Sequence, residues 1–252
     1  MKTQSLLRKG LVAMLAVFLS VGLQSCLDDD DDTLYFSNYY ANALVTVKLN
    51  ADNAPYLQLD DSTTLRPVNM SRSPFGEKEV RALANIAASD EDPQGYSRAV
   101  FVNWIDSLLT KPMALNLGEE ENDRTYGNDP VEIFNDWVTI AEDGYLTLRF
   151  ATRWGNGKAH FVNLVPTDNP ENPYEVEFRH NAYGDTDGRM DDALVAFKLD
   201  GLPDTQGKTV KLKLKWNSFS GEKSTEFDYC TRKATNPQAD AVTSVRTSVN
   251  VK

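Results

Sequence analysis

Lys211-Leu212-Lys213-Leu214-Lys215-Trp216 sets a lysine and an apolar residue at alternate positions. One face of such an extended chain is apolar and the other cationic, because successive side chains leave a strand on opposite sides. That period of two marks a half-buried β-strand. The same period recurs in Val45, Val47 and Leu49, in Leu146, Leu148 and Phe150, and in Val195, Phe197 and Leu199. The stretch from Glu77 to Ala88 fits a strand through Val80, Ala82, Ala84 and Ile86, or a helix through Val80, Leu83, Ala84 and Ala87; the strand is preferred. The pattern predicts an all-β chain. Lysines along 211–215 suit a solvent-facing or edge strand, where charge blocks pairing with other chains. A cationic binding stripe is the sharper alternative.

Turn residues divide these runs. Asn156-Gly157 separates Tyr145–Arg153 from Lys158–Val165, and Asn-Gly readily supplies the two positive φ angles of a tight hairpin. Asp60-Asp61-Ser62, Asp143-Gly144, Asp168-Asn169-Pro170 and Gly201-Leu202-Pro203 mark further turns. Between Lys111 and Pro130 the composition turns polar, with Gly118-Glu119-Glu120-Glu121-Asn122-Asp123 followed by Tyr126-Gly127-Asn128-Asp129. The expected organisation is an OB-like barrel over 34–112, a linker over 113–129, a β-sandwich over 130–235 and a polar tail over 236–252.

The front of the chain is built differently. Lys2, Arg8 and Lys9 precede an apolar run from Leu11 to Leu23, and Leu23-Gln24-Ser25-Cys26 follows. The run is shorter than the roughly 20 residues a membrane-spanning helix needs, and its flanks read as a removable signal peptide over residues 1–25. The last four residues resemble a lipoprotein-processing signal, which implies lipidation of Cys26; an ordinary secretory leader with a chance cysteine is the alternative. More than one acyl chain anchors a protein stably. Residues 26–33 then form an acidic tether, since Asp28, Asp29, Asp30, Asp31 and Asp32 repel one another. An acidic run directly behind a lipidated cysteine resembles a surface-export signal of Gram-negative anaerobes. The expected location is the outer membrane, lipid-anchored and facing the cell exterior.

Cleavage before Cys26 removes three of the 26 basic residues and none of the 37 acidic ones, taking the formal net charge from −11 to −14. Such a surface repels phosphate backbones, so no nucleic-acid partner is expected. Only Cys230 remains as a thiol; with no internal disulfide possible, the fold must rest on its hydrophobic cores, and Cys230 is expected to be buried.

Several segments resemble the NigD-like lipoproteins: Leu57-Gln58-Leu59-Asp60-Asp61-Ser62-Thr63-Thr64-Leu65, Asp129-Pro130-Val131-Glu132-Ile133, His160-Phe161-Val162-Asn163-Leu164-Val165 and Glu177-Phe178-Arg179-His180-Asn181-Ala182-Tyr183-Gly184-Asp185. The last is the most specific. The resemblance implies an N-terminal OB-like domain followed by a C-terminal β-sandwich, and brings no catalytic residues with it. The family takes its name from a component of a bacteriocin operon. Arg66 and Arg81-Ala82-Leu83-Ala84-Asn85 depart from the expected pattern of the barrel.

Candidate chemistry is sparse. His160 and His180 are the only two histidines, in neighbouring strand-like runs, and with Asp185 they are the nearest thing to a zinc set, though without ligand spacing. A structural role for His180 is preferred, fixing the turn after it. Asp185-Thr186-Asp187-Gly188 fails as a calcium loop, because glycine comes fourth and Arg189 intrudes. No Gly-x-Ser-x-Gly occurs. Aromatics offer a binding hint: Trp154 beside the predicted hairpin tip, and Tyr35, Phe36, Tyr39 and Tyr40 behind the tether, the latter expected to dock into the barrel. The candidate binding residues are Trp154, His180, Tyr183 and Asp185; no catalytic residue, metal or cofactor is expected. The expected function is non-catalytic binding of an extracellular glycan, peptide or protein. Alternatives are bacteriocin immunity or peptide handling, and a hydrolase with an unrecognised carboxylate site. A buried, convergent His180, Asp185 and Glu177 would favour the enzyme.

Overall fold

The computed structural model describes residues 40–155 and 157–232, so the leader, Cys26, the aspartates at 28–32, Tyr35, Phe36, Tyr39, Asn156 and the tail lie outside the described residues. The first five strands are β1 (Ala43–Leu49), β2 (Pro55–Gln58), β3 (Thr64–Pro67), β4 (Val80–Ala88) and β5 (Arg98–Ser107). They close into a barrel of order β1-β2-β3-β5-β4, with β3 and β5 parallel and β4 returning antiparallel to β1. Alternation in β1 sends Ala43, Val45 and Val47 inward, against Leu57, Leu65, Ala82, Ala84, Val100 and Val102. Each fully buried leucine in that set contributes about 2 kcal/mol. The run at 77–88 is thus a strand where it is regular. Tyr40 is exposed.

The remaining strands form two stacked sheets. One has the order β6-β12-β9-β7, from β6 (Leu109–Pro112), β12 (Arg189–Lys198), β9 (Tyr145–Trp154) and β7 (Glu132–Ile133), with β8 (Ile140–Glu142) also on β9. The other has the order β10-β11-β13-β14, from β10 (Phe161–Pro166), β11 (Glu175–Asn181), β13 (Val210–Ser218) and β14 (Gly221–Tyr229). Leu146, Leu148, Phe150, Val195, Phe197, Leu212, Leu214 and Trp216 interdigitate between them, the inward sets read from the period of two. The described residues are all-β apart from one short helix: an OB-like barrel followed by a β-sandwich.

Four sequence expectations need correction. Asn156-Gly157 does not join a hairpin: β9 and β10 lie in different sheets. Both edges of β9 are already occupied, by β12 on one side and by β7 and β8 on the other, so β10 has no edge to join. A tight two-residue hairpin forms instead at Asp143-Gly144, between Glu142 and Tyr145, with φ of 48° and 72°. The residues assigned to the end of the barrel at 109–112 instead form β6, parallel to β12 in the sandwich. The segment expected as a linker holds helix α1 (Glu119–Tyr126), whose first turn carries Glu119, Glu120 and Glu121 at the positive end of the helix dipole. Asp123 pairs with Arg179 of β11, which docks α1 on the second sheet. As expected, Lys211, Lys213 and Lys215 face solvent, here from a strand flanked on both sides, and pair with Asp228 (2.6 Å), Glu175 (2.9 Å) and Glu222 (3.3 Å). The stripe is matched by carboxylates rather than open. The fourth correction is Cys230, expected to be buried: it is only half-buried, 3.6 Å from Thr205 Oγ1.

Candidate functional site

The end of the sandwich where β9 stops and β12 begins gathers all four candidate residues. Gly155 and Gly188 let the two strands close there: a Cβ on Gly188 would run into the Trp154 carbonyl, and one on Gly155 would lie 2.9 Å from Gly188 Cα. Only glycine permits that approach. From Gly155 the chain crosses to the other sheet, and the crossing brings His160 onto His180. Gly127 does similar work below: its Cβ position lies 2.6 Å from the His180 carbonyl oxygen, so the chain after α1 reaches β11. Asp129 N then donates to His180 O (2.9 Å), and Ala182 N donates to Asp129 Oδ2 (2.8 Å).

Hydrogen-bond accounting assigns the imidazole protons. The Asp129 carbonyl, 3.2 Å from His180 Nδ1, can only accept, so Nδ1 carries a hydrogen. Neutral His180 therefore offers a lone pair at Nε2, and His160 Nδ1, 3.0 Å away, donates to it. That leaves His160 Nε2 facing Asp185 Oδ2 at 3.5 Å, too long for a hydrogen bond and within ion-pair range only if the ring is protonated. Asp185 Oδ1 accepts from Gly155 N (2.8 Å). Trp154 lies nearly parallel to His160 with centroids 5.1 Å apart, and Phe150 and Phe178 wall the other side. Burial holds His180, 1% exposed, down to a pKa of about 4; the nearby His160 lowers it further, and the hydrogen bond to Asp129 works the other way.

Trp154, His180 and Asp185 thus come together in the interior, and Trp154 is half-buried instead of standing free at a hairpin tip. Tyr183 remains outside, 51% exposed, in an edge-to-face pair with equally exposed Phe161 (5.4 Å, 84°), and Lys158 Nζ donates to its carbonyl (3.2 Å). Phe161 and Lys158 escaped the sequence reading because the assumed hairpin placed them along a paired strand. Glu177 leaves β11 on the face opposite His180, tied to Arg179 (2.8 Å), so His180, Asp185 and Glu177 do not converge. His160 meets His180 and Asp185 with different ring nitrogens, so the three cannot share one ion. Among the described residues no group of three or more His, Cys, Asp or Glu side chains is placed to hold a metal.

A second buried polar network ties the barrel to the sandwich. Lys48 Nζ lies 2.7 Å from Asp143 Oδ1, both nearly fully buried. Arg232 reaches Asp143 Oδ1 (3.1 Å) and Glu79 (2.7 Å), and Tyr145 donates to Glu79. Arg81, 0% exposed, pairs with Glu142 and donates to Thr46 Oγ1 (3.1 Å) and, at a longer 3.4 Å, to Thr147 Oγ1. Burial pushes the Lys48 ammonium below its ordinary pKa, with Asp143 resisting. Burial opposes ionisation of Glu79, but hydrogen bonds from Tyr145 and Arg232 outweigh it and hold its carboxyl low. A cleft of about 540 Å³ opens beside this network, lined in part by Tyr145, Lys198, Leu199, Tyr229 and Arg232.

Comparison with known proteins follows the same two-part architecture. The family model of the NigD-like N-terminal OB domain matches residues 44–108, and that of the NigD-like C-terminal β-sandwich domain matches residues 114–229. A crystal structure of a protein from Parabacteroides distasonis, described as toxin related, is 37% identical, with a TM-score of 0.63 over 80% of this chain and 97% of its own. A Bacteroides vulgatus protein of unknown function shares the fold at 24% identity (TM-score 0.58, 74% and 89% covered). A NigD-like immunity protein from Bacteroides caccae does so at 20% (TM-score 0.54, 75% and 96% covered). No curated protein matches the chain. With both domain models in order along one chain, and a relative at 37% identity over most of its length, this protein belongs to the NigD-like family.

Proposed function

We propose that this protein is an outer-membrane lipoprotein, anchored through Cys26 and facing the cell exterior, that binds an extracellular glycan, peptide or protein without transforming it. The observation that carries the reading is the state of the sandwich end. Both histidines are engaged with each other, walled by Trp154 and Phe150, while Tyr183 and Phe161 present their rings to solvent. Acid–base or zinc chemistry needs a group that substrate can reach and an open position beside it. Exposed aromatic pairs instead suit contact with a partner surface. The leader residues Leu23, Ser25 and Cys26 and the run from Asp28 to Asp32 support anchoring and outward display. A second reading, handling of or immunity to a secreted peptide toxin, is favoured by the toxin-related description of the 37% identical relative.

Protease shaving of intact cells tests the location on which the binding reading depends. The native chain is compared with a variant in which Asp28, Asp29, Asp30, Asp31 and Asp32 are alanine. Cleavage of the native chain and protection of the variant supports surface display through the aspartate run. Protection of both, with digestion in a lysed control, overturns display and leaves periplasmic peptide handling as the reading.

A further inference from the structure

The outer face of the five-stranded sheet is covered at one end by the barrel, where Arg81 approaches Thr147. Further along β9, Arg149 leaves the same face and is built into a rigid polar row. Its Nε donates to Asp192 Oδ2 (2.7 Å), Nη2 to Asp192 Oδ1 (3.2 Å) and Nη1 to Asp136 Oδ2 (3.1 Å). The two-pronged geometry toward Asp192 fixes the guanidinium plane. That plane lies over the Phe134 ring, 4.9 Å from its centroid.

The loop between β7 and β8 carries Phe134 and is pinned to this row. Phe134 N donates to Arg149 O (2.9 Å), Arg149 N to Thr139 Oγ1 (3.2 Å) and Thr139 N to Asp136 O (3.2 Å). Trp137 follows Asp136 in the turn and, at 54% exposed, is the most exposed of the described tryptophans. An exposed indole on a hydrogen-bonded turn, next in the chain to a carboxylate that pairs with Arg149, matches one ligand chemistry well. A sugar ring offers a C–H face that stacks on an aromatic plane, and hydroxyls that donate to carboxylates and accept from guanidinium. Two carboxylates against one guanidinium leave the row net negative, on a chain of formal charge −11, so a uronate or sulfated sugar is repelled.

We infer that Trp137, Phe134 and the Asp136–Arg149–Asp192 row form a binding subsite for the neutral sugar rings of a glycan. The subsite lies on the sheet face and stands independently of what Tyr183 and Phe161 contact at the sandwich end.

The test is calorimetry of the full chain in detergent micelles against laminarin, mannan, galactan and xylan, with polygalacturonate as the anionic comparison. At least one neutral polymer should bind, and Trp137→Ala should weaken it about tenfold or more with thermal unfolding unchanged. Arg149→Lys, which cannot hold both carboxylates in one plane, should weaken the same polymer. Tyr183→Ala should leave it unaffected, and polygalacturonate should not bind. Absence of any neutral polymer whose binding depends on Trp137 overturns the inference. So does equal binding of polygalacturonate, or a Trp137-dependent protein partner captured from culture medium without sugar binding.

Discussion

The junction between barrel and sandwich and the far end of the sandwich both bury polar side chains, but they balance them in opposite ways. At the junction the groups are charged and share partners unevenly: Asp143 Oδ1 receives both Lys48 and Arg232 while its buried Oδ2 has no hydrogen-bond partner among the described residues, and Glu79 receives Arg232 and Tyr145. At the far end two imidazoles lie in a line, each donating its Nδ1 hydrogen, and His160 Nε2 is left without a hydrogen-bond partner among those residues. Charged networks of the first kind fix two domains in one arrangement, because removing any member strands a buried charge. A line of the second kind holds loops in place, and through His180 it responds to protons. The contrast teaches that burial of polar groups here serves rigidity in one place and loop positioning in the other.

The largest effect should come from breaking the junction. Asp143→Asn keeps a residue that tolerates φ of 48° but leaves the buried Lys48 ammonium without its carboxylate. Chemical denaturation should show a loss of about 3–5 kcal/mol; a loss under 1 kcal/mol would mean that water reaches the network and the contrast is false.

Acid sharpens the comparison from the other side. His180 has a folded pKa of about 4 against an ordinary 6.5, so between those values the unfolded chain binds more protons than the folded one. Stability should therefore be full above pH 6.5 and fall as pH drops toward 4, by up to about 3 kcal/mol. Carboxylates add their own slope at the acid end, so the informative quantity is the difference from His180→Asn, in which this share of the slope should vanish. Parallel curves for the two proteins would remove the proton response from the sandwich end.

Gly188→Ala attacks the same end sterically. The added methyl meets the Trp154 carbonyl, so β9 and β12 must part and Asp185 must leave Gly155 N. About 1–3 kcal/mol should be lost, and the ring resonances of His160 should shift while the junction's amide resonances stay put. The smallest effect belongs to neither region. Lys215→Gln removes one exposed cross-strand pair and should change stability by less than about 1 kcal/mol.

Much of this was legible in the residues themselves. The strands whose alternation is regular, at 45–49, 146–150, 195–199 and 211–216, face the cores as their period requires. Helix α1 was hidden because helix recognition rests on an apolar face, and Glu119-Glu120-Glu121-Asn122-Asp123-Arg124 has none; it is held by Asn122 contacts with Asn116 and Leu117 just before it and by the pair of Asp123 with distant Arg179. The nearness of His160 to His180 was anticipated from neighbouring strands. The proton order was not, since the Asp129 carbonyl that sets it arrives from 51 residues away. Trp137 sits in a polar turn, where an aromatic with no alternating neighbours was itself a signal passed over in favour of Trp154.

The sequence by itself determined the strand faces, the two cores and the all-β class, because side-chain alternation is a local property that burial then enforces. It also held both turn dipeptides, Asp143-Gly144 and Asn156-Gly157, with the same local chemistry. Only the tertiary structure decided that the first is a hairpin and the second part of a crossing between sheets. A hairpin needs a free strand edge as well as a willing turn, and β9 had none left to give.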